Sequence, residues 1–375
     1  MSTRLARSHL QRSLPKAAIA LFCLFLLHIY YQPYREQDAP QFARPKLPPG
    51  VARPDSQNYT KTIVMARLKS DDVSWVYNEL HGFDHAIYTV DDNEAEHKVP
   101  QNKGRETMAY LTYIIDHYDN LPDTVLFFHP HKSTWHNNVL LELDSVKAIQ
   151  RLNPGRVSRE GYFNARCHHD PGCPNWLHVD RPKSEWDMVK KKEEQYLTSG
   201  LWQQLHGDDP IPRALSQPCC AQFAVSGERV RARPLSDYRH YRQWLLDTSL
   251  SDEFSGRMLE YNWQYIFTGQ PEYCPPQHEC YCDGYGICFG GTTDENLQNW
   301  LNILKERELI DEKLKDLRWG PSGIGDQSEI AALEQERSEI VSRLETLKTE
   351  AYKRGEDPKN RAEECGRPWK PGDGF

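Results

Sequence analysis

The first third of the chain after residue 61 alternates short apolar runs with segments whose apolar residues recur every three or four positions. This pattern predicts buried strands at residues 62–68, 85–90 and 124–128, and helices at residues 73–80 and 106–118. Strands that alternate with helices favour a parallel, doubly wound sheet with right-handed crossovers. The predicted fold class is therefore α/β with a mostly parallel sheet.

Beyond the third strand, the pattern is first irregular and then strongly helical. A further strand is predicted at residues 221–225, with helices at residues 238–248 and 257–267. Past residue 291, apolar residues such as Leu314 and Leu344 follow three- and four-residue steps on either side of a glycine-rich turn. This spacing predicts an antiparallel helical hairpin, or a coiled coil for self-association, at residues 292–354. The last segment, residues 355–375, is predicted to be a disordered tail.

The N-terminal region differs from the rest of the chain in charge and hydropathy. Basic residues and no acidic ones precede an apolar run at residues 17–31, and a proline-rich polar segment follows at residues 32–60. This order predicts a cytoplasmic tail at residues 1–16, a signal anchor or transmembrane helix, and an extended stem. The run is shorter than the roughly 20 residues that cross a typical bilayer, so a cleaved signal peptide is the alternative.

The same order of segments predicts where the protein resides. We expect a single-pass type II membrane protein whose globular part faces the lumen of the Golgi or the endoplasmic reticulum. Asn58 begins an Asn-Tyr-Thr sequon, which would make the protein a glycoprotein in that compartment.

Composition and charge exclude one broad class of partner. The formal net charge is -8 and the pI is about 6.0. General nucleic-acid binders need clustered lysine and arginine for phosphate contacts, so no nucleic-acid partner is expected. With 375 residues, the chain can hold one large domain, predicted at residues 61–291, and its appended segments.

Cysteines are concentrated near the end of this predicted domain. Four of them lie within fifteen residues: Cys274, Cys280, Cys282 and Cys288. In an oxidising compartment they are expected to form a compact local cluster of disulfides, and a zinc site on the same thiols is the alternative. Nine cysteines follow the apolar run, and because nine is odd, one thiol is expected to be free or paired between chains. The candidates are Cys365 and one of the adjacent Cys219 and Cys220.

The strongest candidate for a functional site is the end of the third predicted strand. His129 and His131 follow that strand directly, and His136 lies five residues further on. Ligand sites of open α/β sheets lie at the carboxyl ends of the strands. Three imidazoles so close in sequence match the nitrogen ligands of ions such as Zn or Mn. The sequence therefore predicts a divalent metal site, and the alternative is that these histidines bond to backbone carbonyls or lie on the surface.

Two weaker candidates lie on predicted helices. Asn102, Gly104 and Arg105 precede the helix at residues 106–118, and a glycine at a helix start can hold a phosphate on free backbone N–H groups. The alternative is an ordinary helix N-terminus with solvated charges. Glu260 lies three residues after an arginine and shares a helix face with it, which fits a surface ion pair as well as a site.

Four sequence blocks carry a resemblance to known families. They read MARLKSDDVSWV, NKGRETMAYLTYIIDHYDNLPDTVLFFHPH, CCAQFAVSGERVRARP and RMLEYNWQYIF, and they span about residues 62–267. Together they resemble the uncharacterised fungal family known as domain of unknown function 3431, which by itself implies no reaction. More distantly, their order resembles that of GT-A glycosyltransferases, which transfer a sugar from a nucleotide-sugar donor.

The GT-A resemblance implies a role for each candidate residue. Such enzymes place Asn-x-Gly and a helix before a strand that ends in a metal-binding Asp-x-Asp, and a late acidic residue is the acceptor's base. On this resemblance Glu260 is the catalytic base, and a divalent metal, Mn or Zn, is held at the histidines. The residues implied in donor binding are Arg67, Asp91, Asp92, Asn102, Gly104, Arg105 and Lys132. Imidazoles in place of the two carboxylates imply that the ion differs or that the site works without one.

The predicted function is a membrane-anchored, lumenal glycosyltransferase-like enzyme with a nucleotide-sugar donor and a glycan or protein acceptor. One alternative is a metal-dependent hydrolase built on His129, His131 and His136. The other is a non-catalytic lumenal scaffold whose helical hairpin recruits partners. A bound metal without nucleotide affinity would favour the hydrolase, and binding of neither would favour the scaffold.

Overall fold

The computed structural model describes residues 47–54, 58–181, 189, 191, 193, 196–320 and 325–373. Among these residues, no helix is long and apolar enough to cross a membrane. By this finding the predicted single-pass type II membrane localisation, with its signal anchor and its lumen-facing orientation, is wrong. The apolar run on which it rested has 15 residues, fewer than a typical span needs, and it lies outside the described residues, as does the predicted tail at residues 1–16.

In the described part of the chain, five strands form one sheet and two short strands form a separate pair. They are β1 (Lys61–Arg67), β2 (Asp84–Thr89), β3 (Thr124–Phe127), β4 (Tyr162–Asn164), β5 (Leu177–His178), β6 (Ala214–Leu215) and β7 (Phe223–Ser226). The five-stranded sheet has the order β2-β1-β3-β7-β4. β1 pairs in parallel with β2 and β3, whereas β7 runs antiparallel to both of its neighbours. The predicted α/β class with a mostly parallel sheet is confirmed.

Helices cover the sheet and continue beyond it. They are α1 (Ser74–Glu79), α2 (Glu106–His117), α3 (Ser145–Arg151), α4 (Pro154–Glu160), α5 (Ser199–His206), α6 (Gly227–Arg231), α7 (Leu235–Asp247), α8 (Asp252–Glu260), α9 (Trp263–Thr268), α10 (Gln277–Tyr285), α11 (Glu295–Trp319), α12 (Gln327–Arg354) and α13 (Pro358–Glu364). Single 3₁₀ turns lie at Tyr118–Asn120 and Val139–Leu141. The helices before residue 286 are divided between the two faces of the sheet: α1, α3, α4 and α10 contribute to one core, and α2 and α5 to α9 contribute to the other.

Both faces of the sheet are buried, which explains why its central strands β1, β3 and β7 are mostly apolar. In β3, Val125 and Phe127 face one hydrophobic core, which includes residues of α2, α7 and α9. Leu126 faces the opposite core, which includes residues of α1, α3 and α10. A strand that is buried on both sides forms a continuous apolar run rather than an alternating one. The sequence pattern therefore located the strands of this sheet without showing which face each residue uses.

The helical hairpin predicted at residues 292–354 corresponds to α11 and α12. Its base belongs to the second core, where the Nε1 of Trp300 donates to the carbonyl oxygen of Leu344 at 3.0 Å. Its tip has a small apolar cluster of its own, formed by Ile310, Leu314, Ile330 and Leu333. The hairpin is thus anchored at one end and depends on local contacts at the other.

The segment after the hairpin, predicted as a disordered tail, instead packs against α10. It contains α13, in which Ala362 is fully buried. Arg367 Nη2 donates to Asp283 Oδ1 at 2.9 Å, and Glu364 Oε2 accepts from the backbone N of Gly290 at 3.0 Å. These partners lie 74 or more residues away in sequence, so no local pattern could indicate them.

Disulfides form as predicted, but with partly different connections. The described residues contain four: Cys167–Cys280, Cys173–Cys274, Cys219–Cys220 and Cys282–Cys288. The expectation of a purely local cluster is wrong for Cys274 and Cys280, whose partners are 101 and 113 residues away. The fold brings each of these pairs to a Cα separation below 6 Å, as a disulfide requires. Among the cysteines of the described residues, Cys365 is the free thiol.

Candidate active site at the carboxyl edge of the sheet

Several segments of the chain meet at the edge of the sheet where β1, β2 and β3 end. α2 begins at this edge, because it follows β2 and leads back to the parallel strand β3. β7 is antiparallel, so its first residue, Phe223, pairs with Phe127 at the end of β3. Asn164, the last residue of β4, pairs with the same Phe223. The residues just before β7 and just after β4 therefore flank His129.

His129 is fixed by two hydrogen bonds to the segment before β7. Its backbone N donates to Gln222 Oε1 at 3.1 Å, and its ring Nε2 lies 3.1 Å from the carbonyl oxygen of Cys220. Because a carbonyl oxygen only accepts, Nε2 carries the hydrogen in this arrangement. Nδ1 is the ring nitrogen that takes no part in this bond.

Cys220 connects His129 to the predicted catalytic residue. Its carbonyl oxygen accepts from His129, and its backbone N–H donates to the carboxyl group of Glu260. Cys220 also forms a disulfide with the adjacent Cys219, and its φ of 90° is followed by a φ of 33° at Ala221. Non-glycine residues in this left-handed region are strained and cluster at functional sites. The strained turn places both polar groups of Cys220 within the site.

Glu260 lies at the end of α8, which crosses the start of α2. The two helices are so close that a Cβ on Gly256 would lie 2.8 Å from the carbonyl oxygen of Gly104. The Glu260 side chain is half-buried. Its removal from solvent, and then repulsion from Glu106, raise the pKa of its carboxyl group to about 7. Arg257, the Cys220 N–H and Arg105 oppose this shift in pKa but do not cancel it.

Tyr110 completes the acidic end of the site. Its hydroxyl group is buried without a hydrogen-bond partner, and its pKa is raised by burial and then by the charges of Glu106 and Glu260. Glu106 and Tyr110 are four residues apart and therefore share one face of α2. Two carboxyl groups and a phenol thus lie within electrostatic reach of one another.

His136 lies beside His129 at the other end of the site. The two ring centroids are 5.0 Å apart, and His136 Nδ1 is 3.1 Å from Thr134 Oγ1. Its Nε2 is buried and has no hydrogen-bond partner. Burial, and then the charges of His129, Arg166 and His131, lower the pKa of His136 to about 3. The ring is therefore neutral at neutral pH, the form that binds metal ions.

The three predicted metal ligands do not converge on one point. His131 is exposed, and its carbonyl oxygen accepts a hydrogen bond from Ser145 Oγ at 2.9 Å. Over the described residues, the group that brings three ligand atoms within 4.8 Å of one another is Cys282, Cys288 and Glu364. Those two cysteines form a disulfide and cannot offer thiolates. The donor set at the histidines therefore does not fit a three-ligand metal centre in this conformation.

The predicted phosphate cradle before α2 is occupied by protein groups. Gly104 has a φ of 75°, which is compatible with a tight turn. The backbone N of Arg105 donates to Asp252 Oδ1 at 3.3 Å, and Lys103 donates to two carbonyl oxygens at the end of α7 and just beyond it. Asn102 is exposed. A donor phosphate would have to displace the bond to Asp252 before it could bind at this turn.

Three further predicted donor-binding residues lie at the ends of β1 and β2. Asp91 Oδ1 accepts from the backbone N of Lys69 at 2.9 Å, and Asp92 Oδ1 lies 3.1 Å from Lys69 Nζ. Arg67 donates to the carbonyl oxygen of Asp71 at 3.2 Å, and its buried Nε has no partner. These contacts hold the loops after the two strands against each other at the same edge of the sheet as Glu260.

Lys132 and Arg257 are paired elsewhere. Lys132 Nζ lies 2.6 Å from Glu79 Oε1, so its charge is directed toward α1. Arg257 pairs with Glu193 and, at 3.2 Å, with Glu253, instead of forming the ion pair with Glu260 that the three-residue spacing allowed. Neither cation directly neutralises Glu260.

Glu106, Tyr110 and the Cys219–Cys220 disulfide are parts of the site that were not predicted to have a functional role. The adjacent cysteines were a local signal that could have indicated a turn closed by a disulfide. The roles of Glu106 and Tyr110 had no such signal, because both follow from the packing of α8 on α2.

Residues 63–283 of the chain match the family described as "Protein of unknown function (DUF3431)". The matched region contains nearly all of the sheet and every residue of the site described above, and it ends before the helical hairpin. No curated protein and no solved structure matches the chain.

Proposed function

The chain belongs to the DUF3431 family of unknown function, and we propose that it is a glycosyltransferase-like enzyme of GT-A type. The proposed reaction moves a sugar from a nucleotide-sugar donor to a glycan or protein acceptor. Glu260 is the proposed catalytic base, and the edge of the sheet where β1, β2 and β3 end is the proposed donor side.

One observation carries this proposal: the pKa of Glu260 is raised to about 7 at the carboxyl edge of an α/β sheet. A general base is most effective when its pKa lies near the working pH. The causes of the shift, burial and the nearby Glu106, belong to the fold and not to a chance surface contact. Buried carboxyl groups with such shifts are candidates for catalytic residues.

In the proposed reaction, the ionised Glu260 accepts the proton of an acceptor hydroxyl. The freed oxygen forms a bond to the anomeric carbon of the donor sugar as the bond from that carbon to the diphosphate oxygen breaks. The nucleoside diphosphate leaves with the electron pair of that bond. The hydrogen bond from Cys220 holds the carboxyl group in place, and it also favours the ionised form that the base must have.

The diphosphate requires positive charge, which GT-A enzymes take from a metal ion. Because His129, His131 and His136 do not converge here, no step of the proposed reaction depends on a metal. Arg105 is the predicted donor-binding residue that could supply this charge, since it lies at the start of α2 and its charge already acts on Glu260. Cationic side chains can stabilise the negative charge of a leaving phosphate group without a metal.

The test combines donor binding with transfer. Thermal stabilisation of the protein by a panel of nucleotide sugars, with and without Mn or Zn, would identify a donor. Release of nucleoside diphosphate in the presence of glycan acceptors would then measure transfer. We expect Glu260→Gln to lower kcat by about 10²- to 10⁴-fold and to leave donor stabilisation intact, because a base acts on the reaction and not on binding.

Glu228→Gln is the matched control, because Glu228 is an exposed acid on α6 and has no place in the site. In addition, kcat should rise with pH through about 7, as the Glu260 carboxyl group ionises. Failure of every nucleotide sugar to stabilise or react would refute the proposal. If, in addition, the protein bound no metal, the non-catalytic scaffold would be favoured.

A metal-dependent hydrolase is the second candidate, and one observation favours it. His136 Nε2 is buried beside His129 and has no hydrogen-bond partner, so this nitrogen is available to bind an ion. The same stabilisation assay separates the two functions. Stabilisation by Zn or Mn that His136→Ala abolishes, without any effect of nucleotide sugars, would favour the hydrolase.

A further inference from the structure

A cavity of about 380 Å³ lies next to the site and takes no part in the proposed transfer step. Its lining includes Trp135, Arg166, His168, Asp170 and Gln277, and we call it the Arg166 pocket. Its volume is within the roughly 300–1,000 Å³ that is usual for small-molecule sites. The pocket is built by the segment after β4, the loop after β3 and the start of α10.

Arg166 is the buried cation of this pocket. It is 8% exposed, and its Nη1 and Nη2 donate to the carbonyl oxygens of His136 at 2.6 Å and Asp170 at 2.8 Å. Its Nε has no hydrogen-bond partner. A buried guanidinium group with an unused donor is costly unless a further acceptor reaches it. The two carbonyl bonds hold the group in a fixed orientation at the cavity wall.

Trp135 provides an exposed aromatic surface at the same cavity. Its side chain is 65% exposed, an unusual position for a tryptophan. The Arg166 guanidinium carbon lies 5.4 Å from the Trp135 ring, so a cation–π contact orients the indole. The ring is thus held in place while much of its surface remains open to a ligand.

The electrostatics of the pocket favour a neutral, hydroxyl-rich ligand. Asp170 places a carboxylate near Arg166, so the two charges offset each other. His168 is neutral, because burial and then Arg166 lower its pKa to about 4. Gln277 adds an amide group to the wall. Donors and acceptors are both present and the net charge is close to zero, which disfavours a phosphate or a sugar acid.

We propose that the Arg166 pocket binds a neutral sugar unit of a glycan. The C–H face of the sugar ring lies on the Trp135 indole, whose π face attracts weakly positive C–H groups. The hydroxyl groups bond to Arg166, Asp170 and Gln277. As the acceptor subsite of a transferase this assignment rests on the proposed function, but glycan binding itself does not depend on it.

The pocket is joined to the site through His136. Arg166 donates to the backbone of His136, and the His136 ring is 5.0 Å from that of His129. The pocket is therefore linked through His136 and His129 to Cys220, whose backbone N–H donates to Glu260. Occupation of the pocket would position an acceptor without contributing to the chemical step.

The test measures saccharide binding to the full-length chain without any nucleotide sugar. The probes are the neutral trisaccharides chitotriose, mannotriose and maltotriose, with the acidic trigalacturonate as a charged comparison. Isothermal titration calorimetry and tryptophan fluorescence report binding. We expect at least one neutral trisaccharide to bind and Trp135→Ala to weaken it at least tenfold.

Trp135→Phe should retain part of the affinity, because an aromatic face remains. Trp319→Ala is the matched control, since Trp319 is 84% exposed but lies at the end of α11, away from the pocket, and this substitution should not change binding. Absence of binding by all three neutral probes, equal binding by the Trp135→Ala variant, or preference for trigalacturonate would each overturn the assignment. Because no donor is present, failure of sugar transfer would leave this result unaffected.

Discussion

Different kinds of contact stabilise the tip of the helical hairpin and the part of the chain before the hairpin, which we call the sheet domain. In the sheet domain, Trp263 is fully buried among aromatic rings, and two disulfides join segments more than 100 residues apart. At the hairpin tip, four apolar residues, two from each helix of the hairpin, form a cluster. Exposed ion pairs such as Lys313–Glu329 supplement it. The difference indicates that the region that carries the site depends on non-local packing, whereas the hairpin tip depends on contacts that its own sequence spacing provides.

The largest expected effect is on the aromatic core. Trp263 stacks on Phe267 at a centroid distance of 5.8 Å and lies 5.2 Å from Phe223. Trp263→Ala should lower the free energy of unfolding by about 3–5 kcal/mol, because it removes a large buried side chain and leaves a cavity. Leu333→Ala at the hairpin tip should cost about 2 kcal/mol, at the low end for such changes, because a small cluster can collapse around the gap.

Urea unfolding of the two variants measures this difference. An equal or greater loss for Leu333→Ala would contradict the view that the non-local core dominates stability.

Disulfides should show the same contrast between distant and local contacts. Replacing Cys173 and Cys274 by alanine opens a connection across 101 residues and should lower the free energy of unfolding by about 2–4 kcal/mol. Replacing Cys282 and Cys288, which are six residues apart, should cost roughly 2 kcal/mol less, because a short loop loses less entropy on closure. Urea unfolding of both double variants under non-reducing conditions is the measurement. Similar losses would show that chain entropy is not the main contribution.

Acid should weaken the sheet domain through His206. Burial lowers the pKa of this fully buried histidine to about 3, from an ordinary value of 6.5. Between these values the unfolded chain binds a proton that the folded chain does not, so stability is present above pH 6.5 and is lost as pH falls toward 3. The slope from one such group is at most about 1.4 kcal/mol per pH unit.

Glu260 acts in the opposite direction, because its folded pKa of about 7 exceeds its ordinary value of 4.5. Its contribution is fully present below pH 4.5 and is lost as pH rises through about 7. Stability measured from pH 4 to 8 should therefore fall less steeply with acid in His206→Gln, and more steeply in Glu260→Gln. Unchanged slopes in both variants would mean that other groups control the pH dependence.

The smallest effect is expected for an exposed ion pair of the hairpin. Lys313 Nζ and Glu329 Oε1 are 3.1 Å apart, and their side chains are 56% and 44% exposed. Lys313→Ala should change the free energy of unfolding by less than about 1 kcal/mol, since solvent screens such pairs. Thermal unfolding in low and in 1 M salt should show that this small difference disappears with salt. A loss that persists in salt would point to packing of the lysine stem instead.

Local patterns predicted the elements of this fold more fully than its connections. The strands β1, β2 and β3 and the helix α2 were found within one or two residues, because each is an apolar run or a helical repeat of adequate length. The segment at residues 257–267, predicted as one helix, is instead α8 and α9. The helix breaks near Asn262, whose buried side chain bonds to the Met258 carbonyl and to His206. The spacing of apolar residues along the sequence does not reveal such tertiary partners.

The candidate site was predictable in part for the same reason. That a helix following β2 starts near the end of β3 is a rule of parallel sheets, so His129 and Gly104 could be placed on one edge from sequence. Sequence could not show that Glu106 lies beside Glu260, or that Cys220 contacts both Glu260 and His129. These contacts depend on how α8 and β7 return to that edge. The metal expected at the histidines followed from residue type alone, without the geometry that a metal site needs.

The two long-range disulfides also determine what a cut in the backbone would do. Cys167 and Cys173 lie before the segment at residues 174–273, and their partners Cys280 and Cys274 lie after it. A single proteolytic cleavage within that segment would therefore yield two polypeptides that remain covalently joined twice. Such a nicked protein would migrate as one species on a non-reducing gel and as two fragments after reduction, so a non-reducing gel alone would not reveal a cleaved chain.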